Sequence, residues 1–85
     1  MSRNRYHIEY GVTALKDLDV LPSKQRGQIL RKIERMQYGL LGNIKRLREA
    51  DFSYRLRMGD YRILFDIEED VIVIRRIGHR KNIYE

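Results

Sequence analysis

The stretch "SYRLRMGDYRI", residues 53–63, decides how the rest of the chain folds. Alternating runs flank Gly59-Asp60, and a two-residue Gly-Asp loop between such runs is a tight-hairpin signal. With that turn, Met58 faces Tyr61, Arg57 faces Arg62, Leu56 faces Ile63 and Arg55 faces Leu64. Alternation then sorts the side chains. Tyr54, Leu56 and Met58 point one way with Tyr61, Ile63, Phe65 and Ile67, so this apolar set must be core. Arg55, Arg57 and Arg62 point the other way. Like charges in cross-strand pairs weaken a sheet by roughly 0.2–1 kcal/mol each. Two readings of the arginine face stay open: a solvated strand surface, or a surface kept for an anionic ligand. A merely solvated face more often mixes signs.

Strands and helices follow on either side of the hairpin. "RYHIEY", 5–10, reads as a first strand. "TALKDLDVL", 13–21, puts Ala14, Leu15, Leu18 and Leu21 at helical spacing, with Thr13 as candidate N-cap. Pro22 ends that helix and a second begins, with Ser23 as its cap and Gly39 as its C-cap. Ile29, Leu30, Ile33 and Met36 form its apolar side, while Lys24, Arg26, Arg31, Lys32 and Arg35 occupy the other. Gly27 weakens it by about 1 kcal/mol relative to Ala. "IKRLRE", 44–49, is a short strand. "VIVIRRIGHR", 71–80, opens with four β-branched apolar residues, the pattern of a strand buried on both faces and central in its sheet. The order predicts an α+β domain spanning 1–85. An N-terminal strand and a helical hairpin pack on a mainly antiparallel, twisted sheet of four to five strands. Two helices cover only one face of so small a sheet, which leaves the arginine face open.

Composition narrows the chemistry. Eighteen Lys and Arg against twelve Asp and Glu give a net charge of +6, which favours polyanions or an acidic partner. The acids gather in "DIEED", 66–70, away from the basic stretches. There is no cysteine, and His7 and His79 stand far apart without a ligand pattern, so neither metal nor cofactor is expected. Glycine-rich phosphate loops and nucleophile elbows are absent from the sequence. No apolar run approaches the roughly 18 residues of a membrane span, and the expected location is the cytoplasm.

The segment "RIGHRKNIY", 76–84, holds the remaining chemistry. Gly78 marks a place where another backbone or a ligand can approach closely. His79 can exchange a proton near neutral pH, or simply end a strand. Arg80 and Lys81 bring charge. Tyr84 offers an aromatic face, or pins the terminus to the sheet. Together with the arginine face, these residues describe a cationic surface with a stacking platform, which suits RNA.

A chain of this length carrying "YRLRMGDYRILFDI", preceded by "ALKDLDVLP" and "IKRLRE" and ending in "RIGHRKNIY", resembles the RelE/ParE superfamily of toxins. The resemblance is to the RelE branch and its microbial-ribonuclease fold. It implies a ribosome-dependent endoribonuclease that cuts mRNA in the decoding site by attack of the 2′-hydroxyl on the neighbouring phosphate. Carried over, Arg55 and Arg57 match positions that activate the hydroxyl and hold the phosphate. Arg62 matches the arginine that stabilises the transition state, Arg80 one linked to the leaving oxygen, and Tyr84 the tyrosine that stacks on the base. Well-known RelE members carry lysines where this chain has Arg55 and Arg57. Arginine stays protonated, so the proton acceptor lies elsewhere, with His79 as candidate, or the ribosome helps. Lys45, Arg46, Arg48, Arg76 and Lys81 are expected to contact RNA or ribosome. The implied partners are mRNA, the ribosome and a cognate antitoxin with an acidic or amphipathic segment. The alternatives are a ParE-like gyrase poison and an inactive relative that only binds antitoxin or RNA.

Overall fold

A computed structural model describes residues 5–40 and 42–83. The elements run β1 (His7–Tyr10), α1 (Val12–Asp19), α2 (Ser23–Arg35) with a 3-10 turn (Met36–Tyr38), β2 (Asn43–Arg46), β3 (Tyr54–Met58), β4 (Tyr61–Glu68) and β5 (Val71–His79). They build the expected α+β architecture on a five-stranded sheet of order β1-β5-β4-β3-β2. Only β1 and β5 run parallel; the other neighbours are antiparallel. The middle strand is β4. β5 lies inside the sheet, between β1 and β4, as the apolar run at 71–74 predicts for a strand buried on both faces. No helix among the described residues is long and apolar enough to cross a membrane.

The β3–β4 hairpin has the predicted register, residue for residue, including Arg57 opposite Arg62. Gly59 takes φ 57 and Asp60 an ordinary negative φ, the pattern of a II′ turn with glycine first. The β4–β5 hairpin also turns in two residues, Glu69 and Asp70, between Glu68 and Val71. There Glu69 sits at φ 58, a left-handed conformation costing an L-residue roughly 1–2 kcal/mol.

The core lies between the helices and one sheet face. Ala14 and Leu18 from α1, with Ile29, Ile33 and Met36 from the second helix and its turn, meet Leu56, Ile63, Phe65, Ile72, Ile74 and Ile77. Burying each Leu or Ile contributes roughly 1.5–3 kcal/mol. Tyr54 stacks on its register partner Phe65 at 5.4 Å on the same side. Leu15 is half exposed rather than core, since α1 turns only Ala14 and Leu18 inward. Both expected caps shift by a residue or two: Gly11 and Pro22 occupy the N-cap positions, with Thr13 and Ser23 inside the helices. Pro22 takes that place because its fixed φ suits the approach to a helix. Gly39, at φ 148, ends the second helix as predicted. Gly27 is accommodated without a break in α2.

Two local features aim the site. Leu64 pairs with Arg76 and Phe65 with Ile74, so Arg75 is an extra residue that bulges β5. A bulge switches the alternation of everything beyond it. Ile77 thereby joins Ile72 and Ile74 in the core, and Arg76 and Gly78 turn to the open face. Second, α1 covers the edge of β5 that β1 leaves bare. Asp17 Oδ2 accepts the Ile77 N–H at 2.8 Å and Arg76 Nε–H at 2.9 Å. Far from this region, burial pushes the Tyr10 hydroxyl above its usual range, and the nearby Glu34 charge adds to the shift.

Candidate nucleic-acid interface

Register across the four antiparallel strands lays out the open face as two rows. One runs Lys45, Arg55, Leu64, Arg76; the next runs Asn43, Arg57, Arg62, Gly78. Four of these eight positions lie close to the hairpin turn on one side: Lys45, Arg55, Arg57 and Arg62. Leu64 is fully buried although it belongs to this face, an apolar position between Arg55 and Arg76 in its row.

The two opposed arginines differ in state. Arg57 is exposed and makes no ion pair with a described residue. Arg62 is only 7% exposed, and its Nη1 donates to the Gly59 carbonyl at 2.9 Å and the Tyr61 carbonyl at 3.0 Å. The II′ turn thus holds one arginine from below while its partner stays available above. Arg55 is half-buried; its Nε is enclosed without a hydrogen bond, while the side chain as a whole is engaged.

Carboxylates pair with the arginines of β5 away from the hairpin turn. Asp66 receives Arg75 Nε–H at 3.0 Å and the Ser53 N–H at 2.9 Å, with Glu68 Oε2 3.9 Å from Arg75. Arg76 is held by Asp17 at the β5 edge. The hydrogen bonds of Asp17 and Asp66 thus go to β5 and to Ser53, while Asp60 is the acid of the hairpin turn.

The segment after β5 comes to the same end of the sheet. The Arg80 N–H donates to the Asp60 carbonyl at 2.7 Å, and its Nε lies 3.7 Å from Asp60 Oδ1, an exposed pair worth at most about 1 kcal/mol. The Asn82 N–H donates to the His79 carbonyl at 2.8 Å, reversing the chain. Ile83 then lies on Gly78: a Cβ there would meet its Cγ1 at 2.9 Å and Cδ1 at 3.1 Å. The close approach that the glycine signals is made by the chain itself.

Other residues of the predicted site are placed differently. His79 is opposite Tyr61 in register and touches its ring edge-on at 5.6 Å, so it lies on the helix side of the sheet, away from Arg57 and Arg62. Its Nδ1 accepts the Lys81 N–H at 3.1 Å, which leaves the neutral ring's proton on Nε2. The Arg46 guanidinium covers the Tyr54 ring at 5.7 Å, also on the helix side. Arg48 and Lys81 are exposed in loops. Tyr84 lies outside the described residues. What the sequence did not point to is the pair of acids, Asp17 and Asp66, that neutralise the outer arginines, and the return of Ile83. The spacing of Ile72, Ile74 and Ile77, two and then three, is the signal that would have located the bulge. No group of three His, Cys, Asp or Glu among the described residues is arranged to hold a metal.

Known proteins share this sequence and geometry. Residues 8–84 match the family described as ParE toxin of type II toxin-antitoxin system, parDE. Toxin RelE3 of Methanocaldococcus jannaschii is 36% identical over 83 residues, covering 92% of this chain and 94% of the relative. The RelB-RelE antitoxin-toxin complex from Methanococcus jannaschii contains a chain that superposes with TM-score 0.75 and 35% identity, over 89% of this chain and 94% of that one. In the complex RelBE2 from Mycobacterium tuberculosis the values are 0.77, 27%, 89% and 99%. The likeness runs over nearly the full length of the chain in both sequence and fold, and the chain belongs to the RelE/ParE superfamily of type II toxin–antitoxin toxins, as a toxin of RelE type.

Proposed function

We propose that this toxin is a ribosome-dependent mRNA endoribonuclease acting in the cytoplasm as one domain. The observation that carries the reading is the register pair Arg57–Arg62, flanked by Arg55 and Lys45, on a face the helices do not cover. In the reaction a ribose 2′-oxygen bonds to the adjacent phosphorus and the 5′-oxygen of the next nucleotide leaves. The products are a 2′,3′-cyclic phosphate and a 5′-hydroxyl. Between them lies a phosphorane with one more negative charge than the diester. Guanidinium forks match its equatorial oxygens in pairs. Arg57 takes these oxygens from the exposed side, and Arg62, already anchored on the turn carbonyls, meets them without reorganising. Arg55 and Lys45 hold the flanking phosphates. Arg80, at the hairpin end, serves the leaving oxygen, and Tyr84 stacks on the base.

The 2′-hydroxyl proton goes to a group other than arginine. His79 receives it only at Nδ1, so the Lys81 N–H must first let go and the ring must swing to the open face as the ribosome binds. His79→Gln is expected to slow cleavage by about tenfold or more; an unchanged rate removes His79 from the chemistry.

Toe-printing of an mRNA on programmed ribosomes tests the whole reading: wild-type protein should produce cuts within the decoding site. The matched family bears the ParE name, and gyrase poisoning is the rival that this favours. Gyrase-dependent DNA damage without mRNA cuts would establish it instead. The toxin chains of the RelB–RelE and RelBE2 complexes are paired with antitoxins, and a cognate antitoxin with an acidic or amphipathic segment is the partner proposed for this chain.

A further inference from the structure

The Arg62–Gly78 register pair is incomplete as a pair. Gly78 has no side chain on the open face, and that vacant place beside Arg62 is taken by Ile83, returning through the turn at 79–82. Directly opposed residues in an antiparallel sheet hold their Cβ atoms about 4.5–5.5 Å apart. An isoleucine seated on Gly78 is therefore in the position of a cross-strand neighbour of Arg62. Three observations agree with this. Ile83 is 7% exposed, in a turn that otherwise carries exposed residues. Arg62 is equally buried, on a face with no helix over it. The turn is fastened at both ends, by Arg80 N–H on Asp60 and by Asn82 N–H on His79.

We infer that Ile83 is a positioning residue that shields Arg62 and lays the C-terminal segment on the arginine face. Its apolar side chain excludes water from one flank of the guanidinium, which strengthens the attraction of that group for a phosphate. It also fixes where Arg80 stands relative to the opposed pair. The glycine at 78 is required for this, since any Cβ would push Ile83 off. The atoms that such a Cβ would meet all belong to the Ile83 side chain, so the sheet itself need not move. The effect on catalysis rests on the nuclease reading; the shielding of Arg62 does not.

Four chains decide the matter: wild type, Gly78→Ala, Ile83→Ala and Ile83→Val. Two readouts are taken with the thermal midpoint as control. The first is the rate of phenylglyoxal labelling at Arg62, mapped by mass spectrometry. It should rise severalfold in Gly78→Ala and Ile83→Ala and stay near wild type in Ile83→Val. Unchanged labelling in the first two overturns the inference, whatever the protein does to RNA. The second is single-turnover mRNA cleavage on programmed ribosomes. Gly78→Ala and Ile83→Ala should lose about tenfold or more with ribosome affinity kept, and Ile83→Val should recover most of it. A loss that Ile83→Val fails to recover, or that simply follows the thermal midpoint, overturns the positioning role. Wild-type protein that cuts no mRNA refutes the nuclease reading, and the labelling arm still decides the shield.

Discussion

Arg57→Gln should make this protein more stable and far less active. The side chain is exposed, makes no ion pair with a described residue and stands directly across from the buried cation Arg62. Two unit charges splayed about 8 Å apart in water repel by about 0.5 kcal/mol, within the range of roughly 0.2–1 kcal/mol for like-charge cross-strand pairs. Glutamine keeps the stem and removes the charge. The thermal midpoint is therefore expected to rise by about 2–4 °C, and the rise should vanish near 1 M salt, where screening acts within about 3 Å. Losing one charged donor to the phosphorane should cost about 10²–10³ in rate. Calorimetry gives the first number and single-turnover cleavage on ribosomes the second. Two results would refute the reasoning: a rate within threefold of wild type, or a drop in both quantities together. The latter would mean that the residue holds the sheet rather than the phosphate.

Further outcomes follow from the surrounding structure. Asp17→Ala removes the acceptor shared by Arg76 and the Ile77 N–H and should cost about 2–3 kcal/mol in urea unfolding; a loss under about 0.5 kcal/mol would show that α1 does not fasten the β5 edge. Glu69→Gly relieves a left-handed residue and should add about 1 kcal/mol; a loss would mean the glutamate side chain outweighs its backbone cost. The folded protein holds the Tyr10 proton more tightly than the unfolded chain, whose value is 10.0. That stabilisation is complete below pH 10.0 and is lost as pH rises through the folded value. Tyr10→Phe should accordingly flatten the decline of urea midpoints above pH 10.0, and identical slopes in the two proteins would refute the assignment.

Residues 53–67 were sufficient to predict two of the five strands and their pairing. A period of two, a Gly-Asp turn and opposed arginines are local properties, and the structure repeats the pairing without a slip. The apolar spacing of Ile29, Ile33 and Met36 likewise places the second helix, because helical periodicity survives any tertiary context. Caps were read less well. Thr13 and Ser23 are good cap residues, but Gly11 approaches the Ile74 carbonyl, where a Cβ would lie 3.3 Å away, and α1 starts there, while Pro22 takes the N-cap of α2.

By itself, then, the amino-acid order determined that Arg55, Arg57 and Arg62 share one face and that this face is free of helices. Only the tertiary structure decided what stands beside them. The bulge at Arg75 turns Gly78 toward Arg62 and leaves His79 on the other side of the sheet. Asp17, 59 residues from Arg76, neutralises one arginine, and Ile83 returns onto Gly78, the register partner of another. Alternation is a local rule, whereas which distant group fills a vacancy depends on how strands and turns meet in space.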